Sequence, residues 1–295
     1  MIKKLLLSRI LLSGLCFGFT TQVMAEESIA TPDNIETKKI VLKDLDFKTV
    51  MLALYQKDIK FLKVSELEQE KIQYVGMQGD QSENSKDTVL AFNPAEVYKN
   101  AQNEDRYLLT VTQFFLSDAK PSDDHHILLG FPMGSDTQVF VFKKNLDQNF
   151  EIVSRSFDDT WSNQDWNYQP YPAGDIIKNI KNIGPEMLGY VEEKEQSAYG
   201  INETQLMVMA LNDQAHIQKM KVAEIGLDNE SSNEDKTYNM QAKYRFLKSE
   251  HDGLYDIEIK FSGTKKDENA DKIIPIKEIH VYQYNEKQQK YVRVK

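Results

Sequence analysis

Cysteine is almost absent from this chain, since its 295 residues include only Cys16. That residue lies in an N-terminal segment that we expect to be removed, so the remaining chain would contain no cysteine. A protein without cysteine has no disulfide bond, no thiolate nucleophile and no cysteine-ligated metal. The sequence therefore excludes a disulfide-stabilised fold and thiol chemistry.

Long apolar runs are scarce as well. The clearest one, at residues 10–19, follows the basic residues Lys3, Lys4 and Arg9 and precedes the small residue Ala25. This order is typical of a secretory signal peptide. The run is shorter than the ~18–20 apolar residues that span a bilayer, and no later segment approaches that length. We therefore predict a signal peptide at 1–25, a periplasmic location and no stable membrane insertion.

Lipidation of Cys16 would anchor the protein to a membrane instead. A lipidation signal has a small residue just before the cysteine, and Leu15 stands there. We therefore expect a protein without a lipid anchor.

Excess positive charge is also lacking. The formal net charge is −10, and removing Lys3, Lys4 and Arg9 with the signal peptide would make it −13. Such a charge opposes nucleic-acid binding, because that binding depends on Lys and Arg at the phosphates. The 40% of hydrophobic residues suffices for a packed core. The composition thus predicts a folded acidic protein with no nucleic-acid partner.

Familiar catalytic and cofactor motifs are missing too. The chain has no Gly-x-Ser-x-Gly, P-loop, dinucleotide-binding or His-Glu-x-x-His pattern. Residues 249–252 (Ser-Glu-His-Asp) contain the residue types of a catalytic triad, but sequence neighbours seldom converge, and we interpret them as a turn. We predict that the protein has no cofactor, and the lack of these motifs favours a protein that is not an enzyme.

What is present divides the chain in two after the signal peptide and a polar leader at 26–38. Residues 39–103 are predicted to be mixed and partly helical. Phe47, Val50, Met51 and Leu54 follow a helical spacing. Capping patterns predict further helices over about 66–73 and from residue 93, where the sequence is Asn-Pro-Ala-Glu.

From residue 104 to 295 the apolar pattern changes to a period of two. Residues 107–115 are rich in β-branched and aromatic side chains, and ten further candidate strands follow, several separated by Asn-led polar turns. The predicted fold class is mainly β, α+β overall: an antiparallel β-sandwich or a partial β-propeller with short N-terminal helices.

Three segments form a weak internal repeat. Residues 137–148, 204–214 and 279–288 each combine an apolar strand with a turn led by Asn. They could be propeller repeats, although their spacing exceeds the usual length of a blade. Alternatively, they are three hairpins that share turn chemistry, because Asn tolerates left-handed backbone.

The C-terminal part carries a set of glycine and tyrosine motifs. They are residues 184–190 (Gly-Pro-Glu-Met-Leu-Gly-Tyr), 197–200 (Ser-Ala-Tyr-Gly) and 252–256 (Asp-Gly-Leu-Tyr-Asp). Through these motifs, the region from about residue 183 to 295 resembles a group of uncharacterised exported proteobacterial proteins. It is also distantly similar to FG-GAP or VCBS-type propeller repeats. The calcium ligands of such repeats lie in an upstream acidic loop that residues 248–252 do not match. The resemblance therefore implies an exported β protein without a carried-over metal site.

Residues 123–126 (Asp-Asp-His-His) are the densest group of potential metal ligands. Adjacent strand residues point to opposite faces, so His125 and His126 cannot easily share one ion. We interpret the group as a polar loop that leads into a strand, and we predict no metal site.

Both tryptophans lie in one polar, aromatic segment at residues 157–172. Three interpretations stay open: a loop whose aromatics cap the core, a surface for a protein partner, or a glycan-binding surface. The candidate binding residues are Asp158, Trp161, Asp165, Trp166, Tyr168 and Tyr171.

Together these features predict a periplasmic, non-catalytic binding or interaction protein of the bacterial cell envelope, with an unknown envelope protein or glycan as its partner. One alternative is a periplasmic immunity protein that blocks a toxic effector, because acidic inhibitors match basic targets. The other is a cell-wall glycan-binding module or hydrolase.

Overall fold

The structure, a computed structural model, describes residues 40–56, 59–78, 87–117, 125–127, 135–156, 162–163, 171–213, 216–230, 236–267 and 272–295. The predicted signal peptide and leader lie outside these ranges. Of these residues, 64% are in strands and 11% in helices, so the described part of the protein is mainly β, in two antiparallel sheets. The predicted fold class is therefore confirmed.

The first sheet contains the strands from the N-terminal half of the chain. They are β1 (Val41–Leu42), β2 (Ile59–Lys60), β3 (Tyr74–Met77), β4 (Thr88–Lys99), β5 (Asp105–Phe115), β6 (Ser135–Lys144), β7 (Phe150–Arg155) and β8 (Ser162–Asn163). Their order is β1-β7-β6-β5-β4-β3-β2, and β8 pairs with β6. The central strands β4, β5 and β6 are buried over most of their length because both faces of this sheet are covered.

Three short helices cover the first sheet: α1 (Phe47–Tyr55), α2 (Ser65–Gln69) and α3 (Ala173–Lys178). The predicted face of α1 is confirmed, because Val50 and Met51 are buried against the sheet. The helix predicted over 66–73 exists in shorter form as α2. Its N-cap residue is Val64 and makes no side-chain cap hydrogen bond, so the predicted capping box does not form.

The helix predicted from Asn93 is wrong, because residues 93–96 lie inside strand β4. The pairing of β4 with β5 shifts register between Asn93 and Glu96, so Pro94 falls in a β-bulge, where proline is tolerated. The Asn93 side chain donates hydrogen bonds to Thr110 Oγ1 (3.2 Å) and to the Tyr171 carbonyl (2.9 Å). Long-range contacts thus replace the helix cap that the local pattern predicts.

The second sheet is a meander in which each strand pairs with the next along the chain. Its strands are β9 (Ile180–Gly184), β10 (Met187–Ala198), β11 (Ile201–Ala210), β12 (Lys219–Asp228), β13 (Asn239–His251), β14 (Leu254–Lys266), β15 (Ile273–Asn285) and β16 (Lys290–Arg293). Strands β12 and β13 pair at only three positions, and β12 also lies against β16. The sheet therefore curls into a half-barrel that encloses its own apolar core.

A single eight-stranded meander differs from the separate four-stranded blades of a propeller. Within the described residues, the three repeat segments lie on hairpins or strand ends of two different sheets. Asn145 Oδ1 accepts hydrogen bonds from the Asp147 and Asn149 amides (3.0 Å each), and Asn285 Oδ1 accepts one from the Gln288 amide (3.0 Å). These contacts favour the interpretation as hairpins that share turn chemistry. The role of Asn differs from the predicted one, because it accepts hydrogen bonds and the left-handed residues are the later Gln148 and Gln289.

The two sheets join within one compact unit, Thr37–Lys295. One face of the first sheet packs with α3 against the convex side of strands β10 and β11, where Tyr190 and Met209 are buried. Beyond this contact, β10 and β11 continue to a turn at Tyr199 and Gly200, and β12 stays paired with β11 as far as Asn202. The hairpin thus has a root between the sheets and a tip at its far end.

Candidate functional site

Of the predicted binding residues, the structure describes Tyr171 alone. The others lie outside the described residues: Asp158, Trp161, Asp165, Trp166 and Tyr168. Tyr171 is fixed to the first sheet by its backbone. Its carbonyl accepts a hydrogen bond from Thr110 Oγ1 (2.6 Å), and its amide donates one to Thr112 Oγ1 (3.1 Å). Tyr171 therefore anchors the C-terminal end of the predicted aromatic segment inside the protein.

The Tyr171 side chain begins a buried polar chain at the root of the hairpin. Its hydroxyl lies 2.6 Å from the Tyr190 hydroxyl, and Tyr190 also hydrogen-bonds with Glu192. Glu192 Oε2 lies 2.5 Å from Lys219 Nζ. Polar groups buried at a sheet interface need such partners, because an unpaired one costs its full desolvation free energy.

Burial changes the acidity of these groups. It raises the pKa of Tyr190, helped by the hydrogen bond to Tyr171. It lowers the pKa of Lys219, whose side chain is only 5% exposed, while the charge of Glu192 opposes that shift. Both directions follow from the cost of a charge in a poorly hydrated site. The buried polar groups from Tyr171 to Lys219 therefore form a structural connection between the two sheets.

A second buried ion pair connects the sheets near Arg106 on β5. Its Nε donates to both carboxylate oxygens of Asp213 (2.9 and 3.0 Å), and its Nη2 donates to Glu104 Oε2 (2.7 Å). These partners raise the pKa of Arg106 despite its burial. Its Nη1 also donates a hydrogen bond to the Asp105 carbonyl, so the guanidinium stabilises the fold through these contacts.

The tip of the β10–β11 hairpin contrasts with this buried root. Ala198 pairs with Ile201, which leaves a two-residue turn of Tyr199 (φ 54°) and Gly200 (φ 79°). Two successive positive φ angles are typical of a type I′ turn, which favours Asn, Asp or Gly at both positions. Tyr199 is nevertheless an aromatic residue, and it is 96% exposed.

No other described residue combines these properties. Leu146 and Phe61 are about equally exposed, but neither has positive φ. The other non-glycine residues with positive φ are all polar: Lys71, Asn103, Gln148, Asp252 and Gln289. Tyr199 is thus placed where neither local backbone preference nor packing favours an aromatic side chain.

The residues beside the tip are predominantly acidic. Glu193 and Glu195 lie on one face of β10, are exposed, and form no hydrogen bond or ion pair with any described residue. On the opposite strand Glu203 is neutralised by Lys221, whose Nζ lies 3.1 Å from Glu203 Oε1. The exposed Glu230 follows β12 near the same end and accepts a hydrogen bond from the Asn239 amide group.

Packing explains the glycines of the motif at residues 184–190. A Cβ at Gly184 would lie 2.1 Å from the Gly253 carbonyl oxygen, and one at Gly189 would lie 2.3 Å from Ile183 Cδ1. Tyr190 of the same motif is 2% exposed. The motif at 197–200 forms the turn between β10 and β11, yet packing gives no account of its tyrosine.

The predicted polar group at residues 123–126 is described at His125 and His126. His125 forms a parallel bridge with Val64, and His126 Nδ1 lies 3.1 Å from Glu66 Oε1. Within the described ranges, no three His, Cys, Asp or Glu side chains are grouped so that they could hold a metal ion.

Ser249, His251 and Asp256 do converge, which the argument from sequence neighbours missed. Ser249 and His251 belong to β13, and only Asp252 lies in the following turn. Ser249 Oγ donates to Asp256 Oδ2 (2.7 Å), and His251 Nδ1 lies 2.6 Å from Asp256 Oδ1. The serine proton is therefore directed to the carboxylate and not to the imidazole, unlike the arrangement of a catalytic triad.

Sequence reasoning chose the tryptophan segment and overlooked Lys219 and the exposure of Tyr199. An aromatic residue directly before glycine in a turn, between two β-patterned runs, is the signal that could have identified the tip. Lys219 offered no such signal, because its burial depends on the packing of the other sheet.

Comparison with other proteins gives no functional assignment: no family model, curated protein or solved structure matches this chain. None of the helices in the described part is long and apolar enough to cross a membrane.

Proposed function

We propose that this protein is a non-catalytic binding protein of the bacterial cell envelope, exported to the periplasm, that contacts another protein through the tip of the β10–β11 hairpin. The observation that carries the proposal is the exposed Tyr199 in left-handed backbone. Tyrosine is enriched among the residues that dominate protein–protein binding free energy.

The backbone conformation of Tyr199 costs conformational free energy that nothing within the described fold offsets. An L-residue other than Gly, Asn or Asp pays about 1–2 kcal/mol in the left-handed region. The side chain recovers none of this by burial in the free protein, because it is 96% exposed. A residue that departs from the backbone preference of its turn without stabilising the fold is expected at functional sites.

The immunity-protein alternative has one observation in its favour: the carboxylates of Glu193 and Glu195, on the strand that leads to the tip, are exposed and have no partner in the described part of the chain. The glycan-binding alternative depends on the segment from Asp158 to Tyr168, outside the described residues. The arrangement of Ser249 and His251 around Asp256 gives no support to hydrolysis by an activated serine.

The test is a comparison of Tyr199→Asn with wild type in capture from an envelope extract of the source bacterium. Asn is favoured in this turn, so folding should be preserved. We expect partner binding to weaken about 30-fold, since a hot-spot residue contributes about 2 kcal/mol or more. Quantitative mass spectrometry of the captured proteins gives the measurement.

The matched control is Gln148→Asn, at an exposed left-handed position in the β6–β7 hairpin. It should capture the same protein as wild type. Equal capture by Tyr199→Asn and wild type would reject the tip as the binding site. Capture of peptidoglycan that is lost only in Trp161→Ala or Trp166→Ala would favour the glycan alternative.

A further inference from the structure

We infer that the hairpin tip recognises a basic protein surface, with Tyr199 contacting the partner and Glu193 and Glu195 pairing with its Lys or Arg side chains. This inference rests on the proposed function and names the chemistry of the partner. It starts from the free carboxylates, because most other charged groups around the hairpin are already engaged within the fold.

The charge distribution along the hairpin supports this choice. At the root, Glu192 is paired with Lys219, and on β11 Glu203 is paired with Lys221. Glu193 and Glu195 alternate along β10 toward the turn and have no partner among the described residues. Their charges are therefore available to an approaching cation, and they lie on the strand that leads to Tyr199.

A basic partner also suits the tyrosine. The face of an exposed Tyr ring attracts a guanidinium or ammonium group, and the phenol can donate a hydrogen bond. Farther along β10, about 13 Å and about 20 Å from the turn at ~3.3 Å per residue, Glu195 and Glu193 hold other cations of the same basic surface by charge-assisted hydrogen bonds. An uncharged partner would gain neither the cation–π contact nor the ion pairs, and an acidic partner would in addition meet the repulsion of two exposed carboxylates.

The first experiment places a photo-crosslinking benzoylphenylalanine at position 199 of the full chain, or at position 148 as a control, in the envelope extract. We expect one protein adduct specific to position 199, whose crosslinked segment, found by mass spectrometry, is rich in Lys or Arg. A crosslinked segment without basic residues, an adduct with glycan only, or no specific adduct would overturn the inference.

The second experiment measures the contribution of charge with Glu193→Gln/Glu195→Gln. We expect capture of the same protein at low ionic strength to fall at least tenfold, and wild-type capture to weaken with added salt. The control Glu186→Gln/Glu250→Gln removes two exposed, unpaired carboxylates that lie in other turns and strands, and it should behave as wild type.

The two proposals fail in different ways. If Tyr199→Asn loses the partner while Glu193→Gln/Glu195→Gln keeps it at all salt concentrations, the tip binds a protein but the basic-partner inference is wrong. If Tyr199→Asn keeps the partner, the binding site itself is wrong. Equal losses in the acidic pair and in its control would mean a non-specific charge effect and would also reject the inference.

Discussion

Tyr190 and Tyr199 lie nine residues apart along one hairpin, and the fold treats them in opposite ways. Tyr190 is 2% exposed and hydrogen-bonded to Tyr171, whereas Tyr199 is 96% exposed in a strained turn. The root of the hairpin is thus built for stability, and the tip contributes nothing visible to it. One residue type thus serves the fold at one end of the hairpin, and at the other end it makes no contribution to the core and is open to the partner that we propose.

Tyr190→Ala should produce the largest effect. It removes a large buried side chain together with its hydrogen bond to Tyr171 and leaves a cavity, so we expect a loss of about 3–5 kcal/mol in the free energy of unfolding. Urea denaturation gives the measurement. The same substitution at Tyr199 is the control and should change stability little; comparable losses at both positions would contradict the contrast between root and tip.

Lys219→Met tests the ion pair at the root. It leaves the Glu192 carboxylate without its cation, and we expect a loss of about 2 kcal/mol, below the ~3–5 kcal/mol of a fully buried pair because Glu192 is 20% exposed. Lys178→Met breaks an exposed pair with Asp175 and should leave the unfolding midpoint nearly unchanged. A neutral effect of Lys219→Met would show that the pair does not hold the root.

Alkaline pH should weaken the protein through its buried tyrosines. The pKa of Tyr190 lies above its usual 10.0, and burial acts in the same direction on Tyr98 and Tyr291. The folded state therefore keeps protons that the unfolded chain releases, so stability is retained below pH 10.0 and falls as the pH rises further.

The contribution of Lys219 to stability depends on pH in the opposite direction. Its pKa is lowered from 10.5, so its contribution to stability rises with pH up to that value. Three tyrosines should outweigh one lysine. Urea midpoints measured across this range should decline less steeply in Tyr190→Phe, which cannot ionise; an unchanged slope would mean that Tyr190 does not titrate with unfolding.

Tyr199→Asn should have the smallest effect on stability, and of opposite sign. Because Asn adopts left-handed backbone more readily, we expect a gain of about 0.5–1 kcal/mol in the free energy of unfolding, together with weaker partner binding. Gln148→Asn should gain a similar amount without loss of binding. A clear destabilisation by Tyr199→Asn would show that the tip contributes to the fold after all.

Several elements could be predicted from local pattern because they depend on periodicity. The apolar spacing of α1 and the alternation in β5 each create one buried face, which any compact fold must cover. The predicted helix at Asn93 was wrong because its capping residues make hydrogen bonds to Thr110 and Tyr171, which are distant in the sequence. Local preference is weak where such long-range partners are available.

The sequence by itself determined the fold class and the acidic character, since composition and apolar alternation can be read without knowing which strands become neighbours. The tertiary structure alone decided the fate of the side chains. The burial of Lys219, the convergence of Ser249 and His251 on Asp256, and the exposure of Tyr199 depend on which strands become neighbours. The physical reason is that desolvation and pairing are set by groups far apart in the chain, which no local pattern records.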